Sequence, residues 1–307
     1  MNLLTNDVQN SIPDVTIKID RVGVKRVRRI VSVNTPKGLM NFNCELEAYI
    51  DLPATQRGVH MSRNIEAFIE AIDEARNNGA SCLEEMVERS GRKLLEKHPY
   101  ASRAEVIVNT SFFYDENFLG MDTQEVAEVK IKSSVDRNNH RIRCVSVTLE
   151  GMTACPCAQA TYSEMEKTEI TQTPTHTQRA RLTISVTNTL TNNEDKIARI
   201  EWLINAARNS FSSPVISLLK RIDEYKLIKN AIHRPRFAED VARFAIINTA
   251  KKLYDEGFPL NTIIRVEIES FESIHPHNVY AFKEASIKEL IEENNYKNHV
   301  NCAINNS

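Results

Sequence analysis

Residues 143–150 read Arg-Cys-Val-Ser-Val-Thr-Leu-Glu, and residues 151–159 continue Gly-Met-Thr-Ala-Cys-Pro-Cys-Ala-Gln. The first eight alternate, with Val145, Val147 and Leu149 on one face, the period-two pattern of a strand with one buried side. Downstream, RLTISVTN (181–188) repeats the pattern with Leu182, Ile184 and Val186. TIIRVEIES (262–270) sets Ile264, Val266 and Ile268 against Arg265, Glu267 and Glu269. Between them the spacing turns helical, at Ile197, Ile200, Leu203 and Ala207, then at Phe237, Val241 and Phe244. Upstream the recipe is the same. Strands are predicted in VTIKIDRVGV (15–24), RRIVSVN (28–34), NCELEAYIDL (43–52) and AEVIVNTSFFY (104–114). Gly38 ends a Thr-Pro-Lys-Gly turn. Helical spacing covers Ile65, Phe68, Ile69 and Ile72, then Leu83, Met86, Val87, Leu94 and Leu95. Strands, helices, strands, twice over, predict an α+β protein with antiparallel sheets. The expected divisions are a polar arm at 1–14, a first module at 15–135 and a second at 136–307. The break is placed in the polar run Ser133–His140, and residues 115–140 show no clear element.

The 307 residues suffice for two domains with real cores. Lys and Arg number 39 against 41 acidic residues, so no global basic field draws in nucleic acid or an anionic membrane, and anion binding has to be local. The eight glycines are never closer than twelve positions apart, which excludes both the dinucleotide fingerprint and the P-loop. No apolar run reaches 18 residues, and the N-terminal text lacks a secretory pattern. With six cysteines and no disulfide-scaffold density, a reducing cytoplasmic setting is expected.

Five stretches could carry chemistry. Cys155-Pro156-Cys157 directly follows a strand and reads as a stiff loop presenting sulfur, a soft metal ligand and nucleophile; two small buried residues at a strand end is the plain alternative. Glu272-Ser273-Ile274-His275-Pro276-His277 places a carboxylate and two imidazoles within six residues after the last predicted strand. His176 could act as acid or base, with Arg179 and Arg181 as anion holders; alone, that stretch reads as a solvated loop. His60, Ser62 and Arg63 open the first helix, where phosphate binding and simple capping by Ser62 are compatible. Lys220 and Arg221 form a basic pair read as following a helix. Together these suggest one divalent metal and an anionic substrate.

In order along the chain stand Asp51-Leu52-Pro53, Gly58-x-His60-Met61-Ser62-Arg63, Ser102-Arg103-Ala104-Glu105-Val106, GMTACPCAQ, HTQRA, LLKR-x-DE and ESIH-x-H. With these motifs, over about residues 15–290, the chain resembles the GTP cyclohydrolase IB family, and its archaeal branch most. The resemblance implies the tunnelling fold, with two tandem modules per chain, assembled as a homodimer or homotetramer with active sites at subunit interfaces. It implies opening of the guanine imidazole ring of GTP, loss of formate, and closure to a dihydroneopterin triphosphate or cyclic phosphate for pterin, folate or methanopterin synthesis. One divalent metal per subunit is implied, Fe(II) first, with Mn(II) or Zn(II) as substitutes. Carried over by position, Cys155, Glu272 and His275 would be ligands. Cys157 and His176 would handle protons alongside Cys155. His60, Ser62, Arg63, Arg179, Lys220 and Arg221 would bind substrate.

Two positions depart from the pattern. Pro214 stands where a further metal-serving glutamate is expected, and Lys229 where a glutamate would grip the guanine edge. Guanine presents donors at N1 and N2; an ammonium also only donates. A Lys229 lining the base pocket suits a base with an acceptor there. Two other readings therefore stand beside the first: a paralogue hydrolysing another purine nucleotide, and a catalytically silent binding protein of the same fold.

Overall fold

A computed structural model describes residues 7–35, 38–77, 82–190 and 196–294. The chain divides into two compact units that interleave in sequence. The first holds residues 1–111, 129–145 and 189–197; the second holds 112–128, 146–188 and 198–307. The expected break at 133–141 falls within the first of these units. Four of the strands described below have residues assigned to both units.

The first unit carries β1 (Ile19–Thr35) and β2 (Gly38–Leu52), and contributes to β3 (Arg103–Phe118), β4 (Met121–Asp136) and β5 (Arg141–Ala154). These follow one another in that order across the sheet. β1–β2 and β2–β3 are antiparallel. Gly38, at φ +110°, begins β2 in a conformation glycine adopts without a Cβ penalty. Helices α1 (Met61–Asn77) and α2 (Leu83–Lys97) pack on each other. Their Ala67, Phe68, Met86 and Leu94 are fully buried, as are the alternate strand residues Val31, Leu46, Ala48, Val106 and Val108. Each of these side chains larger than alanine contributes about 1.5–3 kcal/mol of burial. The polar 115–140 stretch is strand on both sides of a turn at Leu119 and Gly120. Its alternation, with Ala127, Val129 and Ile131 inward, is crowded by charges on the outer face.

In the second unit the order continues β5, β6 (Thr177–Leu190), β8 (Ile263–Ser270), β9 (Val279–Ser286), with a two-residue β7 (Ser213–Pro214) paired to β5. The three alternations read from the sequence all point inward here: Val147, Leu149, Leu182, Ile184, Val186, Ile264, Val266 and Ile268 are buried. Helices α3 (Pro156–Glu166), α4 (Ile200–Arg208), α5 (Arg221–His233) and α6 (Ala238–Asp255) complete the unit, with α6 packed on β8 and β9. The buried face of α6 is Ala238, Val241, Ala242, Ala245, Ile246, Thr249 and Leu253; Phe237 and Phe244, expected inside, are exposed. Small residues let the helix lie close to the sheet, and the rings are left outside. The architecture is α+β, with antiparallel pairing wherever a register is described. Among the described residues no helix is long and apolar enough to cross a membrane.

Candidate active site

β5 ends at Ala154 and α3 begins at Pro156, so Cys155 sits at the junction. The predicted loop is in fact a helix start: Pro156 occupies the first turn, where a missing N–H costs nothing. Cys155 is the N-cap, its Sγ accepting from Ala158 N at 3.3 Å. Gly151, four residues earlier, has no room for a side chain, since a Cβ there would lie 2.2 Å from the Phe211 ring. The buried Gln159 ties α3 down by donating to the carbonyls of Ile170, Thr173 and Ile232.

Strand register gathers the polar groups. Ser146 meets Ser185 and Thr148 meets Thr183 through side-chain hydrogen bonds between β5 and β6. Carried along both strands, the same register sets Thr153 against Gln178 and Cys155 against His176. Gln178 Nε2 donates to Thr153 Oγ1 at 2.9 Å, and Cys155 N donates to His176 O at 3.2 Å. Thr175 Oγ1 adds a 2.6 Å bond to Cys155 O. On the other side Ala180 pairs with Ser270, so two residues on Gln178 reaches Glu272. Its Nε2 lies 3.2 Å from Glu272 Oε1, which also accepts from Ser270 Oγ at 2.9 Å. His176 Nδ1 is 3.0 Å from Gln178 Oε1 and 3.5 Å from Ser273 Oγ. Thr153 and Ser270 are buried beneath this row; Cys155, His176, Gln178 and Glu272 are half-buried above it. The backbone of Cys155, the imidazole of His176 and the carboxylate of Glu272 are thus linked at one end of three strands.

The comparisons with known proteins concern the chain as a whole. Residues 5–281 match the family model described as "Type I GTP cyclohydrolase folE2". The chain belongs to that family. It is 35% identical over 285 residues to the GTP cyclohydrolase MptA of Aeropyrum pernix, covering 92% of this chain and 97% of that protein. It is 34% identical over 304 residues to the MptA of Methanobrevibacter smithii, covering 94% and 97%. Among solved structures, the uricase from Arthrobacter globiformis aligns with a TM-score of 0.46 at 9% identity over 87% of this chain and 92% of that one, a level that fixes neither fold nor activity.

The other residues singled out from the sequence are placed as follows. Cys157 is exposed in the first turn of α3. His275 and His277 are exposed and stack on each other, ring centroids 5.2 Å apart. As donors for a divalent transition metal, Cys155, Glu272 and His275 fit in kind. Among the described residues, however, no three His, Cys, Asp or Glu side chains converge as a metal-binding group. Arg179 lies 3.2 Å from Glu150, and Arg181 pairs with Glu128, so neighbouring carboxylates balance both. Lys220 and Arg221 open α5 rather than follow a helix, Lys220 as its N-cap and Arg221 as its first residue. Lys229 is exposed on α5, its Nζ 5.6 Å from the Tyr225 ring centroid, and Pro214 lies in β7 opposite Gly151.

His60, Ser62 and Arg63 belong to the first unit. α1 begins at Met61, so Ser62 is inside its first turn and does not cap it. His60 Nε2 bonds Asp7 at 3.1 Å, while its buried Nδ1 has no hydrogen-bond partner among the described residues. Arg63 Nη1 donates to Lys97 O. Nearby His98 is fully buried, with Nδ1 2.9 Å from Tyr100 OH and Nε2 2.9 Å from Asn64 Oδ1. Burial first, then the charges of Arg63, His60 and Lys97, push its imidazole down to about 4. Thr153, Gln178 and Ser270 were not candidates on sequence grounds. Gln178 lies inside the HTQRA motif, but only the strand register reveals what it touches.

Proposed function

We propose that this chain is a metal-dependent GTP cyclohydrolase of the IB type, closest in kind to the archaeal branch. The substrate would be GTP. The products would be formate and a dihydroneopterin phosphate, as triphosphate or cyclic phosphate, for pterin, folate or methanopterin synthesis. Family membership and the MptA relatives support the reaction class. The observation that carries the site assignment is the row Cys155, His176, Gln178, Glu272, in which residues expected to bind metal and to move protons share one hydrogen-bond network.

On this reading Cys155 and Glu272, with His275 from the following loop, would hold one divalent metal, Fe(II) first. Such an ion supplies Lewis acidity, which makes water a competent nucleophile toward an electron-poor ring carbon at neutral pH. His176 would pass protons to and from the opening imidazole ring of the guanine, with Cys157 assisting. His60, Ser62, Arg63, Arg179, Lys220 and Arg221 would receive the nucleotide, its phosphates meeting the N-terminus of α5. The fold would be the tunnelling fold with tandem modules at 15–135 and 136–307. The exposed apolar residues Leu218, Ile222, Tyr225 and Ile228 support a homodimer or homotetramer whose sites complete at subunit interfaces. The setting would be the cytoplasm.

The test is anaerobic incubation of the Fe(II)- or Mn(II)-loaded chain with GTP. Released formate, and pterin fluorescence after oxidation, are expected together; metal-loaded protein that yields neither sinks the reading.

A second reading, a paralogue acting on another purine nucleotide, is favoured by Pro214, which offers no side-chain donor, and by Lys229 in place of a carboxylate. If Lys229 reaches the base, Lys229→Glu raises kcat/KM for GTP by about tenfold, the worth of one hydrogen bond of about 1–1.5 kcal/mol. An unchanged preference across a purine panel would remove Lys229 from the base site.

A further inference from the structure

Gln178 touches nearly every polar side chain in the row, and its carboxamide has two chemically different ends. Nε2 faces Glu272 Oε1 at 3.2 Å and Thr153 Oγ1 at 2.9 Å. A carboxylate accepts and does not donate, so the end turned toward it must be the NH2. That settles which way round the amide sits, and it places Oε1 3.0 Å from His176 Nδ1.

The hydroxyls close the circuit. Ser270 Oγ gives its proton to Glu272 Oε1 at 2.9 Å. Thr153 Oγ1, 3.1 Å from Ser270 Oγ, therefore donates to Ser270. Thr153 in turn accepts from Gln178, and both amide protons are then used. A carbonyl oxygen only accepts, so at His176 the proton must lie on Nδ1. Ser273 Oγ, 3.5 Å from the same nitrogen, can donate or accept and so does not decide the matter.

We propose that Gln178 is a positioning residue that holds neutral His176 as the Nδ1–H tautomer and so leaves Nε2 as the bare nitrogen available to the substrate. Glu272 and Thr153 fix the amide, and the amide fixes the ring. The link to turnover rests on the reading of His176 as proton carrier; the tautomer does not.

The experiment uses the full chain with 15N-labelled histidine, at a pH where the ring is neutral. The His176 signals are assigned by their loss in His176→Gln. The parent is expected to show the proton on Nδ1. Gln178→Met, of similar volume but unable to accept, is expected to lose that preference. In the metal-loaded chain, Gln178→Met is expected to cut kcat for formate release about 10–100-fold, the usual cost of an orienting partner, with KM within about twofold. An Nε2–H ring in the parent overturns the proposal, as does an unchanged Nδ1–H ring in Gln178→Met. The parent spectrum decides even if Gln178→Met does not fold. If the parent releases no formate from GTP, the cyclohydrolase reading fails while the tautomer comparison still judges Gln178.

Discussion

Glu88 in the first unit and Glu272 in the second each centre a polar cluster, and the two are used in opposite ways. In the first unit Glu88 is buried at 6% exposure. It accepts from Arg141 Nη1 at 2.7 Å, from Arg143 Nη2 at 2.5 Å and from Arg92. Burial alone would raise its carboxyl; the hydrogen bond from Arg141 and the charge of Arg143 outweigh that and hold it below the usual range. In the second unit Glu272 is half-buried, and the donors it meets, Gln178 and Ser270, are neutral. Guanidinium partners quench a carboxylate's charge, whereas amide and hydroxyl partners orient it and leave the charge to act on something else. The first arrangement serves folding, and the second suits a site.

The largest expected effect that would break this contrast is on stability. Glu88→Leu leaves the buried guanidiniums of Arg141 and Arg143 without their shared carboxylate, and urea unfolding is expected to show a loss of about 3–5 kcal/mol. A loss under about 1 kcal/mol would mean the cluster is not a structural anchor.

His98 sharpens the same point through pH. Its folded-state value of about 4 lies below the ordinary 6.5, so the native chain prefers the neutral ring. This contribution is complete above pH 6.5 and disappears as the pH falls toward 4, a change of about 3 kcal/mol. Urea midpoints measured across that window are expected to fall for the parent and to flatten in His98→Gln. Equal slopes in the two proteins would contradict the assignment.

The smallest stability effect is expected at the site. Glu272→Gln should shift unfolding by less than about 1 kcal/mol, since a neutral acceptor can still take the bonds from Gln178 and Ser270. Its turnover, by contrast, should collapse. A large destabilisation with turnover spared would give Glu272 the role assigned here to Glu88.

Much of the fold was legible because strands with one buried face announce themselves. Val145, Val147 and Leu149, the alternate residues Leu182, Ile184 and Val186, and the alternate residues Ile264, Val266 and Ile268 turned inward as their alternation required. Elements with little buried area did not announce themselves. α3 buries only Gln159, and α5 buries Asp223, Leu227 and Ala231 while exposing Ile222, Tyr225 and Ile228, so neither shows an inward apolar stripe. β9 alternates only weakly, with Ala285 buried and Tyr280 and Phe282 outside. At the site, Cys155, His176 and Glu272 were legible as residue types that carry chemistry. Gln178 was not, because a glutamine gains its role from the strands it bridges, and register is a property of three segments read together.

The central claim is that the row running from Cys155 to Glu272 is where the reaction happens. Formate release from GTP by the parent and by Cys155→Ala, metal-loaded under the same conditions and matched for folded protein, tests it most directly. The account predicts release by the parent, with metal content and formate both lost in Cys155→Ala while unfolding stability stays within about 1 kcal/mol. Full release by Cys155→Ala with its metal retained would contradict it.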